Sequence, residues 1–427
     1  MRRLLLLSCL MLAACDGGSA PATVNKDFAM NPLSDINTRL AFTCKHETIP
    51  APSAETDMLF RYARWLQVNN RLKEDRAVDV QTERLYRIAA ANGHYRANIN
   101  LQNGSMRGQF SLTGAEHLRM SQQLIDAGVA TGYYFVAIFL KNGAAGLQQD
   151  TDMALRYYRK AADEGSAQAQ AYIGDKLAPV DMAPDISRQM LRCAAEQGDG
   201  DAASALGIDL SITGQYEEAI EAFQLGVAAG DGSSARFLAH GFSGPEPTDR
   251  LYYLAQQKDQ ERASRYKKIG DILSRYSYRS PSVPEINDIV PLPPAPLPAW
   301  DGKLKWVETY NANTEPPKPG EALIVELAKA KQLNPATGRP LPSSPDFDKN
   351  AAIVLLCKTG EPCPKSGYWQ VARPPREGVS RSGIVMFKEG DIMPADVVDI
   401  YRARPWPFGD KHEQHEQHAD WRFLGEV

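Results

Sequence analysis

No apolar run in this 427-residue chain is long enough to cross a bilayer as a permanent helix; the longest, 4–14, falls well short. A basic block is missing as well. The 48 Lys and Arg face 52 Asp and Glu, for a formal net charge of −4, which argues against a nucleic-acid partner. Gly-rich phosphate loops, a nucleophile elbow and a Ser-His-Asp ordering are all lacking. Histidine is sparse, and His46, His94, His117 and His240 are scattered. The one histidine cluster, His412, His415 and His418, lacks the four-residue spacing and intervening glutamate of a zinc-peptidase helix, so it reads as a solvated polar loop. No catalytic residue, metal or cofactor is assigned, and the chain is read as a non-enzyme. An enzyme in the C-terminal region, working through His415 and His418, is the weakest of three readings.

What is present begins with an export signal. Arg2 and Arg3 precede the apolar run, and Leu12-Ala13-Ala14-Cys15 follows it. This resembles the bacterial lipoprotein signal, which implies cleavage after 1–14, a lipid on Cys15 and attachment to the inner or outer membrane, facing the periplasm. Loss of 1–14 removes two arginines and shifts the net charge to −6. Residues 15–50 begin rich in Gly, Pro, Ala and Asn, as a flexible tether would. Export permits disulfides. Cys357 and Cys363 frame the turn-prone Lys-Thr-Gly-Glu-Pro and form a candidate local bridge. Whether Cys44 pairs with Cys193 stays open at this level.

The most informative pattern is a set of five glycines, Gly93, Gly128, Gly165, Gly198 and Gly230, separated by 35, 37, 33 and 32 residues. Each follows an Ala-rich helical tail. Ala154, Leu155, Tyr158, Ala161 and Ala162 recur at three- and four-residue spacings, one apolar helical stripe. Gly165 then ends the helix in the left-handed conformation, and Ser166, Asp199 or Asp231 caps the next one. Gly174 and Gly207 allow close helix contact. Repeats of this length imply stacked helical pairs that bury their apolar faces only against neighbours. Tyr157, Tyr158, Lys160, Ala161, Ala162, Gly165 and Gly174 resemble the Sel-like repeat, a relative of the tetratricopeptide repeat. Tyr157, Tyr158, Tyr172 and Phe237 are expected in the core, whereas Tyr133 and Tyr134, being adjacent, cannot both face one stripe. The segment 251–278 reads as a degenerate closing pair.

The expected fold is mainly α: an α-solenoid of helical pairs over 51–278, a Pro-rich linker or strap over 279–300, and a small α+β domain over 301–427. In the last, 320–333 offers one amphipathic helix, and 351–358, 368–372, 383–388, 397–402 and 421–423 are strand candidates. Arg402, Arg404, Trp406 and Phe408 lie on a Pro-stiffened stretch with the aromatic and Arg anchors typical of protein interfaces, and are candidate partner-binding residues.

The lipobox, repeats and length resemble Sel-like repeat lipoproteins that act as periplasmic immunity proteins against type VI secretion phospholipase effectors, including phospholipase D-like toxins. The stretch from Cys357 to Trp369, with 387–394, resembles C-terminal modules of such proteins. The resemblance implies a secreted lipase as partner, neutralised sterically. The alternative is an envelope scaffold or regulator that uses its repeats for protein–protein assembly.

Overall fold

The computed structural model describes residues 40–347, 356–372, 379–383, 385–402 and 411–425. Cys15 lies outside them. Five helical pairs follow the five glycines. They are α2 (Arg76–Ala91) with α3 (Tyr95–Met106), α4 (Gly114–Asp126) with α5 (Thr131–Asn142), and α6 (Thr151–Asp163) with α7 (Ala167–Leu177). Then come α8 (Pro184–Glu196) with α9 (Gly200–Ile212), and α10 (Tyr216–Ala229) with α11 (Gly232–Gly241). A single helix flanks each end, α1 (Ala54–Asn70) and α12 (Gln260–Arg275). The expected closing pair is thus one helix only, because 251–259 is not helical.

The five turns are built alike. Each glycine has positive φ, between +74° and +112°. Its N–H bonds three residues back, and the next residue's N–H bonds five back: Gly165 to Ala162 and Ser166 to Ala161, Gly198 to Ala195 and Asp199 to Ala194, Gly230 to Val227 and Asp231 to Gly226. This satisfies the last carbonyls of the first helix and reverses the chain at once. Between the fourth and fifth pairs, a Cβ on Gly207 of α9 would come within 2.6 Å of Phe223 on α10, so glycine there permits the helix approach. Phe223, Leu206, Leu210 and Val227 share one buried cluster with Leu238 and Tyr266. Tyr158 is buried and meets Tyr134 and Tyr172, while Tyr133 faces Tyr157 and Lys160 instead; the adjacent pair divides between two surfaces.

Beyond α12 the chain turns back along the array. The Pro-rich stretch is a strap, as Val283, Ile286, Ile289 and Val290 are buried in the last repeats' core. Arg265 donates to the Ile289 and Pro298 carbonyls at 2.9 and 2.8 Å, and Arg262 to those of Pro291 and Ala295. Proline supplies no N–H, so donors from α12 to its free carbonyls are the hydrogen bonds left to make. Arg279 then donates to Val68 of α1, and Asn313 and Asn69 exchange side-chain bonds of 3.0 and 3.1 Å. The returning helix α15 (Glu321–Ala330), which follows a short α13 (Ile286–Ile289) and α14 (Lys305–Ala312), packs Ile324 and Ala328 against the core of the first pair. The region 305–341, expected within a separate α+β domain, therefore packs on the array: 305–312 lies against its last helices and 321–333 covers its first pair.

Among the described residues, the named strands all lie in the last segment, from Leu356 onward. Strands β1 (Leu356–Lys358), β2 (Gly367–Val371), β4 (Val385–Phe387) and β7 (Asp420–Gly425) form a sheet of order β1-β7-β2-β4. Strands β3 (Val379–Ser380), β5 (Asp396–Arg402) and β6 (Lys411–Gln417) form a second, of order β3-β5-β6. Trp369 and Trp421 are its buried centre, and their indole N–H groups donate to Lys365 and Pro394 carbonyls. Cys357 and Cys363 sit in the same core as free thiols, so the expected local bridge is not formed. Their thiols are taken up by carbonyls instead, Cys357 by Pro362 at 3.4 Å and Cys363 by Lys365 at 3.1 Å.

Candidate partner-binding surface

The array already holds one extended polypeptide, its own N-terminal segment. Phe42 packs against the third repeat and Ile49 against the second. Between them Gln170 donates to the Lys45 carbonyl at 2.8 Å, and the Glu47 N–H donates to Gln197 at 2.8 Å. The Lys45 ammonium meets Glu164 at 2.6 Å; Lys160 and Lys45 together hold that carboxyl down at about 2. The tether expected over 15–50 therefore ends early, and from Phe42 onward the chain is seated. Cys44 is bonded to Cys193 on α8, across 149 residues, which settles the open question of their pairing.

One contact explains the seat chemically. Four of the five second helices carry their own N-cap: His94, Ser166, Asp199 and Asp231 each accept from a backbone N–H of the first turn. The helix α5 has Ala130 at that position and no side-chain cap. Glu47 supplies it from the strap, accepting from the Thr131 N–H at 2.6 Å and its hydroxyl at 2.8 Å. A carboxylate at a helix N-terminus is also favoured by the helix dipole.

Two segments cross the row of turn glycines, the N-terminal strap at Gly165 and the Pro-rich stretch at Gly230. A Cβ at Gly165 would come within 2.8 Å of the His46 and Glu47 backbone, and one at Gly230 would land on the Pro281 carbonyl. Gly93, Gly128 and Gly198 have open space there. Between the two crossings lies a groove of about 640 Å³, lined among others by Asp199, Asp201, Asp231, Ser233, Arg236 and Ser277. Burial pushes the Asp199 carboxyl above its usual range, against the pull of the Ala202 N–H that it caps. The groove is thus polar and carries acidic caps, and its open helix-turn edge is at Gly198.

The sequence candidates fall elsewhere. Arg402 ends β5 opposite Lys411 of β6, while Arg404, Trp406 and Phe408 lie outside the described residues. The histidine segment is not a loop: Lys411–Gln417 is β6, paired with β5 through its backbone. His415 is exposed, 3.8 Å from Glu413 on the same strand face. The helical geometry that would have gathered three histidines does not exist there. The groove and the Glu47 cap were missed because each joins residues far apart in sequence. The signal that could have found the second was Ala130, the one turn lacking a capping residue.

Residues 130–166 and 171–199 match the model of the Sel1 repeat, and residues 234–341 match that of a domain of unknown function, DUF6396. The second match ends where the returning segment ends, before the β region. No curated protein matches the chain. Among solved structures, the Pseudomonas aeruginosa protein PA5086 is 25% identical, with 60% of this chain and 96% of that chain covered and a TM-score of 0.44. The immunity protein PA5088 from the same organism is 22% identical, covering 60% and 95% with a TM-score of 0.45. A Sel1 repeat protein from Oxalobacter formigenes is 18% identical over 51% of this chain and 87% of that one, with a TM-score of 0.37. The two Sel1 matches span α5 with α6, and then most of α7 with α8.

Proposed function

We propose that this chain is a binding protein of the immunity type: lipid-anchored through Cys15 in the periplasm, it captures a secreted type VI phospholipase-type toxin, phospholipase D-like in class, and blocks its active site. The observation that carries the binding part is the way the repeats hold Lys45 to Glu47. Conserving that mode, an extended segment of a partner would lie along the turn edges between Gly198 and Gly230. A surface of this kind neutralises by covering, and it needs no nucleophile, metal or cofactor of its own. The anchor and the toxin class rest on the Leu-Ala-Ala-Cys sequence and on the resemblance of the repeats to such immunity lipoproteins. A cell that receives a phospholipase effector in its periplasm is the test. Growth should be restored when this chain is exported to the same compartment and not when it is retained in the cytoplasm. Equal killing in both, with equal protein levels, would refute the reading.

A further inference from the structure

The point where the strap is stapled to the array has the makings of a second, hidden state. We propose that, once the Cys44–Cys193 bond is reduced, these two thiolates and the His46 imidazole bind one Zn²⁺ ion. Ligand atoms of Cys44, His46 and Cys193 all lie within 4.8 Å of one another. Zinc takes thiolate sulfur and imidazole nitrogen at about 2.0–2.3 Å in a tetrahedral shell, which places ligand atoms roughly 3.3–3.8 Å apart. Opening the S–S bond, with rotation of the three side chains, would bring these atoms to that spacing.

The spacing of the groups suits chelation. Cys44 and His46 are alternate residues of an extended segment and share a side. Cys193 and Glu196 are three apart on α8 and share a helix face. The His46 Nε2 stands 3.4 Å from the Glu196 carboxylate, which would serve as the ring's outer partner when the other nitrogen, Nδ1, takes the metal. Water fills the fourth position.

The strap does not depend on the sulfur bond for its seat. Gln170 and Gln197 hold its backbone, Thr131 holds Glu47, Glu164 holds Lys45, and Phe42 and Ile49 are packed. Both ligand pairs therefore keep their places when the bond opens. Cys44 and His46 are exposed, so reductant and metal can reach the site, while Cys193 is buried beneath the strap.

The reducing step uses a dithiol. Its thiolate attacks one sulfur of the disulfide, its second thiol resolves the mixed disulfide, and it leaves as the cyclic disulfide. Two electrons and two protons pass to the protein, giving two thiols. Zinc then displaces both protons to solvent. In an oxidising compartment the bonded state prevails.

Anaerobic titration of the purified chain with Co²⁺, then Zn²⁺, tests the site. Reduced protein should take up about one equivalent of Co²⁺ with sulfur-to-cobalt charge-transfer absorbance, bleached by Zn²⁺, and disulfide-bonded protein none. Cys44→Ser should abolish the signal, and His46→Ala should weaken binding about tenfold or more. With the chain taken from residue 16 onward, which removes Cys9 and Cys15, the Cys357→Ser, Cys363→Ser double variant should retain it, which excludes those thiols as its source. The proposal is overturned by a signal that survives Cys44→Ser, by absence of uptake in reduced protein with intact helical circular dichroism, or by loss of that dichroism on reduction alone.

Discussion

The Glu47 carboxylate caps a helix that begins 84 residues later, accepting from the Thr131 N–H at 2.6 Å. Losing it leaves the first turn of α5 with no side-chain cap, since Ala130 offers none. Glu47→Ala should cost about 1–2 kcal/mol in thermal or denaturant unfolding, the usual value of an N-cap. The same substitution should raise proteolytic cleavage near residues 42–50, because the strap loses one of its anchors.

Two glycines of identical backbone role separate the cost of conformation from the cost of contact. Gly198 and Gly230 have φ of +91° and +94°. Gly198→Ala meets open space and should cost about 1–2 kcal/mol for a left-handed alanine. Gly230→Ala also drives a methyl into the Pro281 carbonyl, and the strap must shift, so a loss of roughly 3 kcal/mol or more is expected. Equal losses at the two positions would mean that the strap does not cross Gly230 as described.

Acid should weaken the first repeats through His117. Burial lowers its pKa to about 4, with Arg422 and Arg87 adding to the effect and Glu116 opposing it. Gln102 and Ser105 bond its two ring nitrogens at 3.1 Å, and Phe139 packs on its edge. The unfolded chain binds this proton near 6.5 and the folded chain only near 4, so unfolding takes up a proton in between. Stability then falls as pH drops from about 6.5 to 4, by roughly 2–4 kcal/mol at the limit. Unfolding followed across that range should show a shallower slope in His117→Gln than in the parent.

Opening the staple should be costly without being disruptive. The Cys44–Cys193 bond closes a 149-residue separation, and long closures restrict the unfolded chain most, by about 2–5 kcal/mol. Cys193→Ser should lower the unfolding midpoint by an amount in that range while helical circular dichroism at room temperature stays unchanged. A collapse of the helices would show that the strap has no seat apart from the bond.

The parts legible in the sequence were those with local causes. The glycine turns and the Ser166, Asp199 and Asp231 caps depend on residues within a few positions, and the tight contact at Gly207 joins helices that are consecutive in the chain. The strands around Trp369 and Trp421 announced themselves as short aromatic-bearing runs bounded by Gly, Pro or charged residues. The strand β6 did not, because Lys-His-Glu-Gln-His-Glu-Gln has no apolar face and is held by backbone pairing to β5. The return of 313–341 onto the first pair was likewise hidden: the apolar stripe of α15 shows that it packs, and says nothing of where. The binding surface shares that difficulty, since the Glu47 cap and the Gly198–Gly230 groove join distant residues. The Arg402 to Phe408 stretch drew attention by composition alone.

The most direct test of the account is inhibition measured in solution. A type VI phospholipase effector, assayed on phospholipid vesicles with this chain lacking its first 15 residues, should lose activity in step with added protein and reach near-complete inhibition at about one equivalent. Bulky substitutions at exposed groove positions, such as Asp201→Trp with Ser233→Trp, should restore the activity while leaving the fold intact. Full phospholipase activity at a large excess of well-folded protein would contradict the account.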